Sequence, residues 1–375
     1  QLNRAKERNQ GLGVTLYQDY NEMLEKEHID VVCINTPSGM HAEHSIDIIE
    51  KHKKHIIIEK PMCLNVHDGM KMIKSADNNN VKLFIVHQNR FNNAIQKIRS
   101  MLDQGKIGKV ALATVRLRWS RNQGYYDRDP WRGMWALDGG TLTNQAIHHI
   151  DILRWLVGEV ESVSATGATQ FVDIEVEDTA CAWMRFKNGA LGIIEATTAI
   201  RPENNDIEAS VSIVSDTGTL IVEGIAVNKI TTWTGGDINV KEFSENPPNV
   251  YGFGHNQIID NAVDVLVNGG DPLVTSRDAL KSIRLLSAIY ASIELDGKEV
   301  FMRDNPISKV LGVISDKAEG IADLYTNFLR NMGYDVIDYG NAEHFEYSKT
   351  KLLVHNKNHK DFIYEVVELL EISPE

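Results

Sequence analysis

Lysine and histidine side chains able to move or hold a proton stand at two separated places in this chain. Glu59-Lys60-Pro61 follows Ile56-Ile57-Ile58, a β-branched run that reads as a short buried strand. Open α/β sheets bind ligands outside the carboxyl ends of their strands, so Lys60 stands where chemistry happens. The proline after it confines the lysine backbone to extended conformations and permits a cis bond. On the hexapeptide alone, a surface lysine in a strand-to-helix turn stays open as a reading. Asn144, His148 and Asp151 fall within an apolar stretch patterned as a helix from Thr143 to Leu156, with Asn144 one turn before His148 on the same face. Histidine titrates near neutrality and suits proton relay, whereas an asparagine can only orient a hydroxyl. Among Ile147, Ile150 and Leu153, His148 also reads as a core histidine, and His149 points elsewhere and reads as structural.

The elements that must position these residues change character near Val110. Before it, strands at Asp30–Asn35, Ile56–Ile58 and Lys82–Val86 alternate with helices at His41–Lys51, Asn65–Asn78 and Asn92–Gln104. Such alternation predicts βαβ units and a parallel sheet covered by helices. An earlier helix end at Arg4–Asn9, a strand at Val14–Leu16 and a helix from Asp19 to Lys26 precede it. After Val110 come strands at Lys109–Arg118, Ser162–Gln170, Thr179–Phe186, Leu191–Thr197, Glu208–Val214, Thr219–Val222 and Ala226–Trp233. Turn residues such as Lys187-Asn188-Gly189 punctuate them as hairpins, and helices at Asn256–Asn268 and Ser276–Glu294 close the unit. The pattern therefore predicts an α/β parallel sheet, plus an α+β domain with a largely antiparallel sheet and a small C-terminal α/β module. The boundaries are 1–108, 109–305 and 306–375.

Bulk properties narrow the function. At 375 residues the chain exceeds one typical core. A net charge of −13 argues against nucleic acid or an anionic membrane as partner. Cys33, Cys63 and Cys181 have no metal-ligand spacing, and Cys33, inside an apolar strand pattern, is expected to be a buried thiol. No signal peptide or membrane-length apolar run is present, so a cytoplasmic location is expected.

Several separated motifs carry a family resemblance: Thr36-Pro37-Ser38-Gly39-Met40-His41, Glu59-Lys60-Pro61, and Asp138-Gly139-Gly140 running into Asn144-Gln145-Ala146-Ile147-His148-His149-Ile150-Asp151. In this order they resemble the Gfo/Idh/MocA family of NAD(P)-dependent sugar oxidoreductases over residues 4 to 303. His87–Asn92, Pro130–Trp135 and Tyr251–His255 look like its nucleotide-sugar branch, the UDP-N-acetylglucosaminuronate and UDP-N-acetylglucosamine 3-dehydrogenases. The resemblance implies NAD, with NADP open, as hydride acceptor, and a nucleotide sugar as substrate in surface-polysaccharide amino-sugar synthesis. It implies a homodimer or homotetramer. Lys60, His148 and Asn144 are the implied catalytic residues. Asn35, Thr36, Pro37, His41, Glu59, Lys60 and Gln88 are the implied cofactor contacts, against a plainer role for such strand-end residues in capping and turns. Arg90, Asn92, Trp131, Arg132, Asn144, Tyr251 and His255 are the implied substrate contacts. Arginine recognises phosphate or carboxylate and aromatic rings stack on uracil or sugar; a packed loop with snorkelling arginine is the other reading. No metal site is expected. A truncated or degenerate sugar-binding or interaction protein, and a dehydrogenase of another sugar or inositol, are the alternatives.

The chain departs from the family pattern in one respect. No G-x-G-x-x-G occurs: Gly11-Leu12-Gly13 and Gly252-Phe253-Gly254 both lack the third glycine. Relative to the family the chain starts after the second strand, so the resemblance implies a Rossmann-type parallel sheet that is N-terminally incomplete, and weakened or absent dinucleotide binding is the expectation for the polypeptide as given, with the family function for its intact form. The tail motif Gly340-Asn341-Ala342 with Tyr347-Ser348 looks like the C-terminal domain of LytR-type envelope proteins.

Overall fold

The computed structural model describes residues 13–202, 208–236, 239–247 and 249–302. The expected helix end at Arg4–Asn9 and the whole C-terminal module lie outside the described residues.

Asp19 accepts from the Asn21 and Glu22 amides at 2.7 and 3.2 Å, which starts helix α1 (Tyr20–Lys26). Strand β1 (Val31–Ile34), helix α2 (His41–His52), strand β2 (His55–Ile58), helix α3 (Val66–Asn78), strand β3 (Leu83–Ile85) and helix α4 (Asn93–Asp103) follow. The three strands pair in parallel in the order β1-β2-β3. Asn65 caps α3 reciprocally, accepting from the Asp68 amide at 2.8 Å and donating to its carboxylate at 2.7 Å.

The second unit is an eight-stranded sheet in the order β10-β9-β8-β4-β7-β6-β5-β11. Its strands are β4 (Val110–Arg118), β5 (Val160–Ala168), β6 (Thr179–Phe186), β7 (Leu191–Thr197), β8 (Glu208–Ser215), β9 (Thr219–Glu223), β10 (Lys229–Trp233) and β11 (Val300–Phe301). All pairs are antiparallel except β4 with β7. Alternating burial along β6 turns Ala180, Ala182, Met184 and Phe186 inward and leaves Cys181 and Trp183 outward. Helices α5 (Gln123–Asp127), α6 (Ile147–Val157), α7 (Gly254–Asn268) and α8 (Ser276–Glu294) complete the described chain. Thr275 caps α8 by accepting from the Asp278 amide at 3.1 Å. Helix α8 packs on α3, α6, β3 and β5, so a single buried cluster runs from Ile56 and Met72 to Ile150 and Ile283. Among the described residues no helix is long and apolar enough to cross a membrane.

Four expectations are corrected. Residues 14–16 are irregular: Val14 is exposed, and no described strand pairs with them. Strand β1 is buried on one face only, so Cys33 is exposed; β1 is the outer strand of its sheet among the described residues, and the pleat turns residue 33 to its open side. Strand β10 starts at Lys229, because Val227 has φ 54° in a turn closed by its amide on the Gly224 carbonyl at 3.0 Å. The helix expected from Thr143 is a π-type turn over Thr141–Gln145, and α6 begins only at Ile147.

Candidate active site

Glu177 holds the start of the π-type turn. At the approach to β6, it takes the Thr141 amide on its backbone carbonyl and the Leu142 amide on Oε1, both at 2.9 Å. These are two of the amides that the start of a helix leaves without an intrahelical partner, and the wide turn itself is closed by the Ala146 amide on the Thr141 carbonyl at 2.8 Å. Tyr290 of α8 donates to the same Oε1 at 3.1 Å and lies 2.7 Å from the Thr143 hydroxyl. Gly140 makes this approach possible: a Cβ there would meet Glu177 Oε2 at 1.9 Å. Burial pushes the Glu177 carboxyl up to about 7.

Turned this way, the segment meets the end of β2. Lys60 Nζ donates to the Asn144 carbonyl at 2.7 Å and faces its Oδ1 at 3.4 Å. The Lys60–Pro61 bond is cis. Burial pushes the Lys60 amine below its ordinary range; Glu59 and Asp138 draw it back up and Arg132 pushes it further down. His148 sits on the first turn of α6 with Nδ1 buried and without a hydrogen-bond partner. Burial, then Lys60, His87 and His149, hold its imidazole well below the usual histidine range, so it is neutral. The His87 ring packs edge-on against it at 5.9 Å. The Asn144 amide group donates to Asp138 Oδ1, while Asp138 Oδ2 takes the Gly133 amide at 2.9 Å. Burial raises the Asp138 carboxyl, an effect partly offset by Gly133, Asn144, Lys60 and Arg132.

The loop after β1 completes one wall. Gly39 donates to the Leu137 carbonyl at 3.1 Å, and a Cβ at residue 39 would lie 1.9 Å from the Ala136 oxygen, so glycine lets the two domains touch beside the site. Asn35 is exposed at this loop, and the Thr36 hydroxyl faces His44 Nδ1 at 3.2 Å. Gln88, at the end of β3, is buried with Oε1 unpartnered. On the opposite wall, burial favours the neutral form of the Glu59 carboxyl, but His255 at 3.4 Å and the Lys60 ammonium hold it below its usual range. Tyr251 packs edge-on against His255 at 5.9 Å and is exposed. Arg132 lies 4.3 Å from the Tyr125 ring and 4.6 Å from the Trp131 ring, and donates to the Tyr125 hydroxyl. Arg121 and Arg128 approach the same Tyr125 ring at 5.2 and 5.6 Å. Gln145 Nε2 joins this cluster to the π-type turn by donating to the Tyr125 hydroxyl at 3.2 Å.

Three expected site residues are placed elsewhere. Arg90 is 1% exposed, with Nε and Nη2 on the two Asp151 oxygens and Nη1 on Asp278, each at 2.6 Å. It ties β3 to α6 and α8 and has no open donor face toward the crevice. Asn92 is buried and donates to the Ala226 and Val227 carbonyls at 2.6 and 3.3 Å, so it braces the β9–β10 turn. His41 is buried with Nδ1 on the Pro61 carbonyl at 2.7 Å and Nε2 on the Thr36 carbonyl at 2.9 Å, which fixes the two loops to each other. Asp138, Glu177, Tyr290 and Tyr125 are the site-forming residues that residue-type reasoning passed over. The acid before Gly139-Gly140 was the available signal for Asp138; the others meet the site only through tertiary packing. Among the described residues no three histidine, cysteine or acidic side chains are grouped to hold a metal.

Comparison with known proteins identifies the family. Residues 1–87 match the oxidoreductase family with an NAD-binding Rossmann fold, and residues 95–221 match the GFO/IDH/MocA C-terminal domain. The chain is 37% identical to the WlbA dehydrogenase of Bordetella pertussis, solved in complex with NADH and UDP-GlcNAcA, with TM-score 0.74 over 80% of this chain and 86% of that one. The corresponding dehydrogenase from Chromobacterium violaceum, also with NADH and UDP-GlcNAcA, gives 37% identity and TM-score 0.73 over 80% and 84%. A myo-inositol 2-dehydrogenase of Thermotoga maritima is 34% identical over 199 residues, 51% of this chain and 57% of that protein. The chain spans about half the length of the curated relatives it matches. With family motifs matched along both domains and both folds in place, the chain belongs to the Gfo/Idh/MocA family of oxidoreductases.

Proposed function

We propose that the protein oxidises the 3-hydroxyl of a UDP-linked N-acetylhexosamine or its uronic acid, with NAD as hydride acceptor. The observation that carries this reading is the convergence of Lys60, from the parallel sheet, on the turn that precedes His148 in the second domain. An amine able to take a proton and a neutral imidazole able to orient a hydroxyl thus meet where the two domains touch. The Tyr125 ring with Arg121, Arg128 and Arg132 around it supports a phosphate-bearing substrate, and Trp131 and Tyr251 offer stacking faces for uracil or sugar.

The residues present fit a nicotinamide dinucleotide in part: Gln88 Oε1 is a buried acceptor without a partner, and Asn35, Thr36 and Pro37 line the end of β1. Together with Glu59 and Lys60, these would hold its ribose and nicotinamide, and the group when bound supplies the hydride acceptor. The chain's own work is proton transfer and orientation. His148 is held too far below neutrality to be a strong base, so the Lys60 amine takes the hydroxyl proton, and the resulting ammonium is received by the Asn144 carbonyl and the Glu59 and Asp138 charges. Neutral His148 orients the same hydroxyl. Mixing the protein with NAD and UDP-N-acetylglucosaminuronate or UDP-N-acetylglucosamine tests the reading: reduced nicotinamide forms, and its absence with both sugars contradicts it. Oxidation of inositol is the second reading, favoured by the Thermotoga relative, and turnover of inositol but not of either nucleotide sugar would establish it.

The same proposal divides the chain at 1–108 and 109–305 and places it in the cytoplasm. It assembles through the open face of the eight-stranded sheet, where Trp183, Leu191, Ile193 and Val214 are exposed.

A further inference from the structure

We propose that Asp138 is a positioning residue for Lys60, its carboxylate fixing through Asn144 both where the amine points and how readily it holds a proton. The inference rests on the dehydrogenase reading only in calling Lys60 the reacting amine; the contacts do not depend on it.

The groups that face Lys60 come from every element around it. Glu59 lies on its own loop, Asp138 and Arg132 on the loop before the π-type turn, His148 on α6, and His41 on α2. Burial is the largest influence on both histidines and disfavours their charged form. Glu59 is partly exposed and already engaged with His255 at 3.4 Å. Asp138 differs in two ways. It is 1% exposed, so water screens its charge less. It also shares a partner with the ammonium: Asn144 Nδ2 donates to Asp138 Oδ1, and the same residue offers Lys60 its carbonyl at 2.7 Å and its Oδ1 at 3.4 Å. An amide bonded to a carboxylate has its oxygen end fixed in direction, here between Lys60 Nζ at 3.4 Å and Gln145 Nε2 at 3.2 Å. The second carboxylate oxygen holds the Gly133 amide at 2.9 Å, which anchors the Trp131–Arg132 loop to the same point. Asparagine cannot accept the proton, so Asp138 shapes the protonation of Lys60 without receiving it.

The test is pH-dependent acetylation of lysine amines in the full chain, with Lys60 and the exposed Lys74 followed by mass spectrometry. Neither substrate nor cofactor is needed, so the role of Asp138 is tested even if the chain fails to oxidise sugars. In a folded Asp138→Asn variant the Lys60 midpoint falls by about half a pH unit or more, about a threefold gain in free amine at a fixed pH below the midpoint, while Lys74 is unmoved. Where turnover is measured, the acid limb of kcat moves to lower pH by the same amount with KM unchanged, an outcome a purely structural role would not produce. Asn144→Ala keeps the carboxylate and cuts the bridge, and its Lys60 midpoint falls by less. An unmoved or raised midpoint in folded Asp138→Asn overturns the proposal; if that variant does not fold, an unmoved midpoint in Asn144→Ala does.

Discussion

Two clusters of charge lie along α6, and they are built in opposite ways. Around Arg90 the arginine and carboxylate groups are matched to one another: Asp151 takes two arginine nitrogens and the Ser282 hydroxyl, and Asp278 takes Arg90 and Arg154 at 2.6 and 2.8 Å. Burial alone would favour neutral Asp151, but Arg90 and its neighbours hold it far below the usual carboxylate range, so this cluster does not change charge near neutral pH. Around Lys60 the partners are a carbonyl, one long amide contact, and carboxyls and imidazoles whose own charge is contested by burial. His148 Nδ1 and Gln88 Oε1 are left without partners. A saturated network fixes geometry, and an unsaturated one keeps capacity for a ligand. The contrast separates structural from chemical ions better than residue type does, since arginine, aspartate and histidine occur in both.

Substitutions that empty each cluster should therefore fail differently. Lys60→Ala is expected to lower kcat by about 10³-fold or more, the scale of a lost general base, with a melting temperature close to wild type. Steady-state kinetics and a thermal melt on one preparation check both halves; a large loss of stability would place Lys60 with the structural ions. Arg90→Met should do the reverse. Leaving Asp151 buried without its partner costs about 3–5 kcal/mol, read from denaturant unfolding, and a folded variant that loses turnover without losing stability would return Arg90 to the substrate site.

Glu177 tests the support behind the site. Its folded pKa, about 7, lies above the unfolded value of 4.5. The folded state thus keeps a proton the unfolded chain has lost, so its contribution to stability is fully present below the unfolded pKa and is lost as pH rises through the folded one. Over that window wild type should lose about 3 kcal/mol from this group, and Glu177→Gln should remove that slope, which urea melts at pH 4 and pH 8 would read. An unchanged slope would mean that Glu177 titrates normally. The smallest expected effect is at the rim. Arg132→Gln should raise KM for a nucleotide sugar about tenfold with less effect on kcat, because it removes one charge from a cluster that retains Arg121 and Arg128. Equal effects on a free sugar would show that Arg132 does not meet phosphate.

Much of this was legible in the chain. Strand and helix order across both domains follows from periodicity and capping, as at Asp19, Asn65 and Thr275, because those signals are local. The place of Lys60 at the end of β2 was legible for the same reason, since its strand and the proline after it are neighbours in sequence. The π-type turn was not, because the groups that hold it, Glu177 and Tyr290, lie 35 and 147 residues from the groups they bind. The internal partners of Arg90, Asn92 and His41 were not legible, because residue type says what a side chain can bind, while the fold decides which partners reach it. Cys33 was misread because an apolar strand pattern does not say which face is covered.

The most direct measurement pairs nucleotide-sugar binding with turnover in wild type and Lys60→Met. Wild type should reduce NAD in the presence of UDP-N-acetylglucosaminuronate, and the variant should lose that reduction while the sugar still raises its melting temperature. Undiminished reduction in Lys60→Met, or a melting temperature that the sugar leaves unchanged in both proteins, would contradict the assignment of Lys60 to the reacting centre.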